Sequence, residues 1–418
     1  MSTAATITTL AGALKRRYDD NFLGAVGWSK GPLAGMVKKV PWTGSNPVFS
    51  SRVGNSPARS ATFSVVKTKS EAATGITTVN QFVLDWYRDY GRATIDGLLL
   101  AVAGDKLGSF YDKFVAQLDG IMDATAHSFA VKMYRAGFGM IGNISATTTI
   151  ASTTLTLAVR EDIVNFEKGM TLCLAATETG ALRNSGATIS VTAINPRLGT
   201  LTLSGNISAG IAAAAQGDFI FCEGDHVTAG TTRGCFTGLD AWFPVVDPSA
   251  SENFYGVDRS TDGRQIATVV DASAGMSEEE ALITAVAETS RYAGTGQKKA
   301  FFNPTRYANL MLQAQSRYRP ATVKGPSGII YTGAAVNTAN GEIEVYSDPY
   351  CPRERGYVVQ MDTCQVYVAG GAQVPHFLAH DGNKMLRQTD DDGIEARVGY
   401  YATFGCDAPI NNAVLKFA

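Results

Sequence analysis

Chemistry in this chain would have to come from a few residue sets, and each meets a test of spacing or context. Gly137-Phe-Gly139-Met-Ile-Gly142 matches, as a string, the glycine fingerprint that brings backbone amides to a pyrophosphate where a strand turns into a helix. Here the string closes a helical pattern and precedes strands, so it reads as a flexible helix exit. His376 and His380, four apart, would share one helix face as metal ligands. Pro375 and the strand pattern around them argue against a helix, which leaves surface or packing histidines. Asp390-Asp391-Asp392-Gly393 lacks the alternate spacing of a calcium loop and reads as a solvated turn. The six cysteines (Cys173, Cys222, Cys235, Cys351, Cys364, Cys406) contain no Cys-x-x-Cys pair, so they read as reduced core thiols and not as a zinc knuckle or redox motif. With only four histidines, no Ser/His/Asp or Cys/His set stands out. No catalytic, cofactor-binding or metal residue is assigned, and a non-enzyme is expected.

Charge is more informative. The net charge of −2, from 36 basic and 38 acidic residues, does not suggest a dedicated nucleic-acid binder. Between Asn21 and Ser70, however, there is no Asp or Glu, while Lys30, Lys38, Lys39, Arg52, Arg59, Lys67 and Lys69 make the stretch strongly basic. One reading is a solvated positive surface. The other is an extended segment, short of core contacts, that docks on more acidic bodies of neighbouring copies, with Arg52, Arg59, Lys67 and Lys69 as the contact candidates. A nucleic-acid contact is the weaker option, because such arms carry denser Arg and Lys clusters.

The elements that must position these residues follow from periodicity. Residues 1–45 read as an arm in which Gly24, Gly27, Gly31, Pro32, Gly35, Pro41 and Gly44 break every element. Pro47 to Val53 reads as a short strand. Ala61 to Lys69 reads as a better one, with Lys67 and Lys69 on one face by the two-residue period, and Thr78 to Tyr90 as a long returning strand. Together they predict a polar hairpin poorly suited to a core. From Asp105 to Arg135, Leu107, Phe110, Phe114, Leu118, Ile121, Met122, Thr125, Phe129 and Met133 recur at helical steps and predict a rod of about 45 Å. Residues 143–235 read as a separate all-β module of short alternating strands. Beyond it the chain is α+β. Ser277-Glu-Glu-Glu280 is a capping box that opens a helix, Asn303-Pro304 caps another through Gln315, and strands are expected at Lys299–Phe302, Glu342–Tyr346, Gly356–Met361, Gln365–Val368, His376–Ala379 and Ile394–Phe404.

At 418 residues and 45% hydrophobic, the chain can bury a real core in two or three domains. Its first residues place their charges after the apolar stretch, unlike a secretory signal, and no run is long and apolar enough to span a bilayer. It is expected to be made in a cytosol.

The order of parts resembles the tailed-phage major capsid proteins of the Hong Kong ninety-seven fold, a fold shared by encapsulin shells. The likeness covers nearly the whole chain and rests on Val53-Gly-Asn-Ser-Pro-Ala-Arg-Ser-Ala-Thr-Phe-Ser64, Tyr87-Arg-Asp-Tyr-Gly-Arg-Ala-Thr-Ile-Asp-Gly97, Ala130-Val-Lys-Met-Tyr-Arg-Ala-Gly137 and Lys299-Ala-Phe-Phe-Asn-Pro304. The resemblance implies an N-terminal arm (1–45), an extended loop (46–98), a spine helix with part of a peripheral domain (99–142), an inserted β-rich domain (143–235), and an axial domain with returning peripheral strands (236–418). It implies self-association into hexamers and pentamers of a virion capsid shell around double-stranded DNA, with scaffolding, portal and decoration proteins as further partners, and no membrane. Some relatives cross-link Lys to Asn; Lys67 or Lys69 sits in the corresponding loop, but no matching Asn with an adjacent acid is present, so cross-linking is not expected. An encapsulin-type nanocompartment shell is the alternative from the same fold, and an enzyme or sugar-binding protein with a β accessory domain is the alternative from another class.

Overall fold

A computed structural model describes residues 31–56, 58–71, 78–96, 108–227, 233–250, 252–291, 296–313, 319–324, 330–370, 374–378, 386–387 and 392–418. Lys30, His380, Asp390 and Asp391 lie outside them, as does most of the arm expected at 1–45.

Where the arm is described it is structured, against expectation. Pro32–Met36 forms a short helix and Lys38–Trp42 a strand that pairs in parallel with Cys364–Ala369. Pro32 fits the first helical turn because its missing N–H is not needed there. Leu33 and Met36 are buried, and nearby backbone and side chains converge on Asp348: Leu33 N–H (3.2 Å) and the Tyr134 hydroxyl (2.8 Å) donate to one carboxylate oxygen, Tyr350 N–H (3.0 Å) to the other. The breakers limit the length of these elements without abolishing them.

The strand Gly393–Cys406 organises the sheet that this arm joins. It runs antiparallel to Tyr87–Asp96 along one edge and to Cys364–Ala369, His376–Phe377 and Leu386–Arg387 along the other. The long helix, expected at 105–135, spans Gly108–Lys132, about 37 Å. It lies on this sheet closely enough that a Cβ on Gly91 would meet Ile121 Cγ2 at 2.4 Å. Its far end is fixed by charge. Lys132 Nζ, nearly fully buried, lies 2.9 Å from Asp89 Oδ2 and 3.1 Å from Asp225 Oδ2, and the Ser128 hydroxyl donates to Asp89 at 2.6 Å. Burial alone would push the Lys132 ammonium down; the facing carboxylates hold it well above its ordinary value. The chain then leaves through Gly137 and Gly139, at φ +90° and +89°, a backbone region costly for other residues.

Residues 140–222 form a six-stranded antiparallel sheet in the order Met140–Asn143, Phe219–Cys222, Thr171–Ala175, Ile189–Asn195, Thr200–Leu203, Thr154–Thr156. Its inward residues, among them Leu155, Leu172, Leu174, Ile189, Val191, Leu201 and Ile220, make a core of their own. The alternation marks these strands because one sheet face is buried.

A seven-stranded sheet follows, in the order Thr268–Asp271, Ala413–Lys416, Arg355–Gln360, Lys298–Phe302, Gly341–Ser347, Ile330–Thr338, Arg319–Lys324. Helix Glu278–Ser290 covers it, opened by Ser277, whose hydroxyl accepts from Glu280 N–H at 3.2 Å. Helix Pro304–Gln313 starts with Asn303 Oδ1 accepting from Thr305 N–H at 3.0 Å. Both caps stand where the sequence places them.

Asp348 is completely buried and forms no ion pair among the described residues, and burial pushes its carboxyl up to about 6, against the pull of its three hydrogen bonds. A raised carboxyl favours the folded state while protonated, so its contribution is full below about pH 4, the unfolded value, and is lost as pH rises through 6. The difference corresponds to about 3 kcal/mol. The unfolding free energy of the wild type, minus that of Asp348→Asn, is therefore expected to fall between pH 4 and pH 6 in urea titrations; a flat difference would refute it.

Candidate functional site

The basic segment forms a hairpin whose two ends differ in kind. At the base, Val48–Gly54 pairs antiparallel with Thr78–Val83, Phe49 facing Phe82. Their rings stack at 5.2 Å and both lie against Trp242, at 6.0 and 5.5 Å. Trp242 donates its indole N–H to the Phe404 carbonyl (3.2 Å). Beside it the buried Arg259 pairs with both oxygens of Glu252 (2.8 and 2.7 Å), donates to the Ala241 carbonyl and sits 3.7 Å over the Phe254 ring. Aromatic burial of this size is worth a few kcal/mol per ring, so the expectation of a hairpin without core contacts is wrong at its base.

The returning strand is also not one element. It ends at Val83, and after Leu84–Trp86 a second strand begins at Tyr87 and pairs with Gly393–Cys406 instead. The break is where the chain changes partner; Leu84 is buried there and its N–H bonds to the Pro47 carbonyl.

Toward the tip, the stretch expected as a strand at 61–69 is a helix, Phe63–Glu71, with no buried residue. A strand there would need a partner for its backbone groups, whereas a helix satisfies its own. Its hydroxyls turn inward as well: Thr68 donates to the Ser64 carbonyl (3.1 Å) and Ser70 to that of Lys67 (2.9 Å). The change of element corrects the placement of two candidates. Two positions apart on a helix, Lys67 and Lys69 point about 200° away from each other and do not share a face. Lys67 lies one turn beyond Phe63, and Lys69 one turn beyond Val65. Phe63 is 81% exposed, and Val65 and Val79 are exposed too.

Arg59 is exposed before the helix, and Arg52 lies at the base. Arg52 lines a groove of about 430 Å³ with Ser51, Arg264, Arg291, Asp407 and Asn411. Arg264 is held by Asp262 and Arg291 by Glu288, and the Ser51 hydroxyl donates to the Asp407 carbonyl at 2.9 Å. Among the described residues none of the four candidates forms an ion pair, and they are spread along the hairpin without converging. Exposed apolar residues lie beside them, Phe63 above all, which the charge pattern alone does not mark.

Elsewhere, His376 sits on a strand opposite Gly399. Among the described residues no group of three His, Cys, Asp or Glu side chains converges as metal ligands. The six cysteines are free thiols.

No family model matches the chain, and no curated protein matches its sequence. Among solved structures, a chain of the cyanophage A-1(L) capsid asymmetric unit aligns over 100% of this chain and 99% of its own, at 12% identity and a TM-score of 0.53. A chain from the capsid of a native GTA particle aligns over 100% of both chains at 8% identity and a TM-score of 0.48. One from an encapsulin complex of Synechococcus elongatus aligns over 99% and 96% at 8% identity and a TM-score of 0.43. The first likeness establishes a shared fold, the capsid-protein fold that the resemblance implied.

Because Phe63 contacts no core, Phe63→Ser is expected to leave monomer stability within about 0.5 kcal/mol of wild type. Phe82→Ala at the base should cost about 3 to 5 kcal/mol. Urea unfolding of both variants checks the contrast, and equal losses would contradict it.

Proposed function

We propose that this chain is the major capsid protein of a tailed phage, a non-catalytic tile that assembles with its own copies, as hexamers and pentamers, into an icosahedral shell around double-stranded DNA. The observation that carries the reading is the hairpin: anchored at its base, yet bearing toward its tip a helix in which, among the described residues, no apolar or basic side chain is buried. Exposed apolar surface on a fixed projection marks an interaction site. Its opposite charge balance to the rest of the chain suits a neighbouring copy, and a contact between two different surfaces closes into rings. The capsid fold supports the same reading.

In this reading the long helix acts as the spine of the tile, the seven-stranded sheet with its two helices as the axial domain, the sheet around Gly393–Cys406 as the peripheral domain, and residues 143–235 as an inserted domain. Scaffolding, portal and decoration proteins would be the other partners, with the host cytoplasm as the place of assembly.

Negative-stain electron microscopy of the chain expressed alone and with neighbouring gene products is expected to show closed shells or flat rings; a well-folded monomer under every condition would sink the proposal. Given shells, Lys67→Glu is expected to reduce assembly more than Lys69→Glu, because Lys67 shares its helix face with Phe63, while both monomers unfold as wild type does. Equal yields from the two variants would refute that ordering.

The inserted domain has its own core, so a chain with 143–235 replaced by a short linker is expected to stay soluble and cooperatively folded. Purely insoluble product would count against its independence.

A further inference from the structure

Cys364 and Cys406 face each other across the antiparallel pair formed by Cys364–Ala369 and Gly393–Cys406. The Asp407 N–H donates to the Thr363 carbonyl (2.9 Å), which makes the cysteines a non-hydrogen-bonded pair, where facing Cα atoms approach to about 4.5 Å. That spacing lies within the range a disulfide spans. The sulfurs are already 3.6 Å apart, in contact as thiols, and neither is exposed. Their polar neighbours differ. Cys406 Sγ accepts from the Cys364 thiol and from the Asn412 amide (3.4 Å), and its own thiol donates to the Thr363 hydroxyl oxygen at 3.8 Å. The Thr363 hydroxyl also lies 3.7 Å from Cys364 Sγ and donates to the Gln360 carbonyl at 2.8 Å, while burial pushes the Cys364 thiol well above the ordinary value.

The other four cysteines lack this arrangement. Cys173 faces Phe221 and Cys222 faces Leu172 across their strands, while Cys235 donates to the Asp225 carbonyl and Cys351 to the Phe301 carbonyl. Asp407 and Asn411, each one residue from a member of the sulfur cluster, line the groove at the hairpin base.

We infer that Cys364 and Cys406 are an oxidation site at which a small peroxide closes an internal disulfide. The Asn412 amide, aimed at Cys406, favours negative charge on that sulfur, so Cys406 attacks first. Its sulfur displaces hydroxide from hydrogen peroxide, the O–O bond breaking as S–O forms, and the departing hydroxide takes the thiol proton as water. Cys364 sulfur then attacks the sulfenic sulfur; S–S forms, S–O breaks, and the oxygen leaves as water with the protons of the Cys364 thiol and the sulfenic acid. Two thiols are oxidised to a disulfide and one peroxide is reduced to two waters. The product links two strands of the central sheet without moving either backbone far, which an apolar or diagonal cysteine pair would require.

The test is a peptide map of the full-length folded chain after graded hydrogen peroxide, alkylated under denaturing, non-reducing conditions. The expected result is loss of two of the six thiols, recovered as one linked pair of peptides carrying Cys364 and Cys406 and split by dithiothreitol. Six alkylated thiols, or oxidation of Cys173, Cys222, Cys235 or Cys351 before that link appears, would overturn the inference. Variants test the order of attack: Cys364→Ser should leave Cys406 trapped as a sulfenic acid by dimedone, and Cys406→Ser should leave Cys364 a thiol. The reverse pattern would overturn Cys406 as the first nucleophile, and the wild-type map stands whether or not either variant folds.

Discussion

Lys132 is a cation held out of water between two carboxylates from different parts of the chain. Asp89 comes from the strand that follows the hairpin, Asp225 from the segment leaving the six-stranded sheet, and the lysine from the last turn of the long helix. Tyr400, on the central strand, closes the group at 3.5 Å from Asp89. Moving the helix would leave both carboxylates without their cation, at a cost of about 3 to 5 kcal/mol. The helix therefore cannot slide along the sheet, and the places where the hairpin and the β module join the body are set by the same contact.

A second group of contacts works without a cation. Asp348 gathers the short helix near residue 32, the segment after the long helix and the turn after strand Gly341–Ser347 by accepting three hydrogen bonds. The aromatic rings of Phe49, Phe82, Phe254 and Phe404 pack around Trp242 in the main core. Polar centres fix which surfaces meet, and the aromatic rings add buried apolar area. The tip helix lies beyond both, which is why its composition is free to serve a surface other than the chain's own.

Legibility in the sequence followed how local each determinant is. Ser277 and Asn303 cap helices through bonds to residues two or three positions on, so their types and spacing were sufficient. The strands around Leu172, Val191 and Leu201 were legible because alternation reports a buried face. The helix at 63–71 was not. Its Phe, Val and Thr content suggests a strand, but strand formation depends on a partner, and no partner is encoded within the segment. The break at Leu84–Trp86 and the parallel pairing of Lys38–Trp42 were hidden for the same reason, since both depend on strands more than 300 residues away. The charges of Arg52, Arg59, Lys67 and Lys69 could be read from the sequence, but their lack of convergence could not. The facing of Cys364 and Cys406 depends on sheet register, which no motif records.

The geometry of the hairpin also decides how it answers a mechanical pull. Both strands run from the anchored base toward the tip, so a force applied at the tip along their length draws on the two strands together. Tension then reaches Phe49 and Phe82 as shear across a packed aromatic cluster, and the ladder bonds between Val48–Gly54 and Thr78–Val83 are not opened one at a time. The same force applied across the strands would bend the projection as a lever about Trp242. The hairpin is thus stiff as a tether and compliant as an arm, a directional response that follows from where its aromatic residues sit.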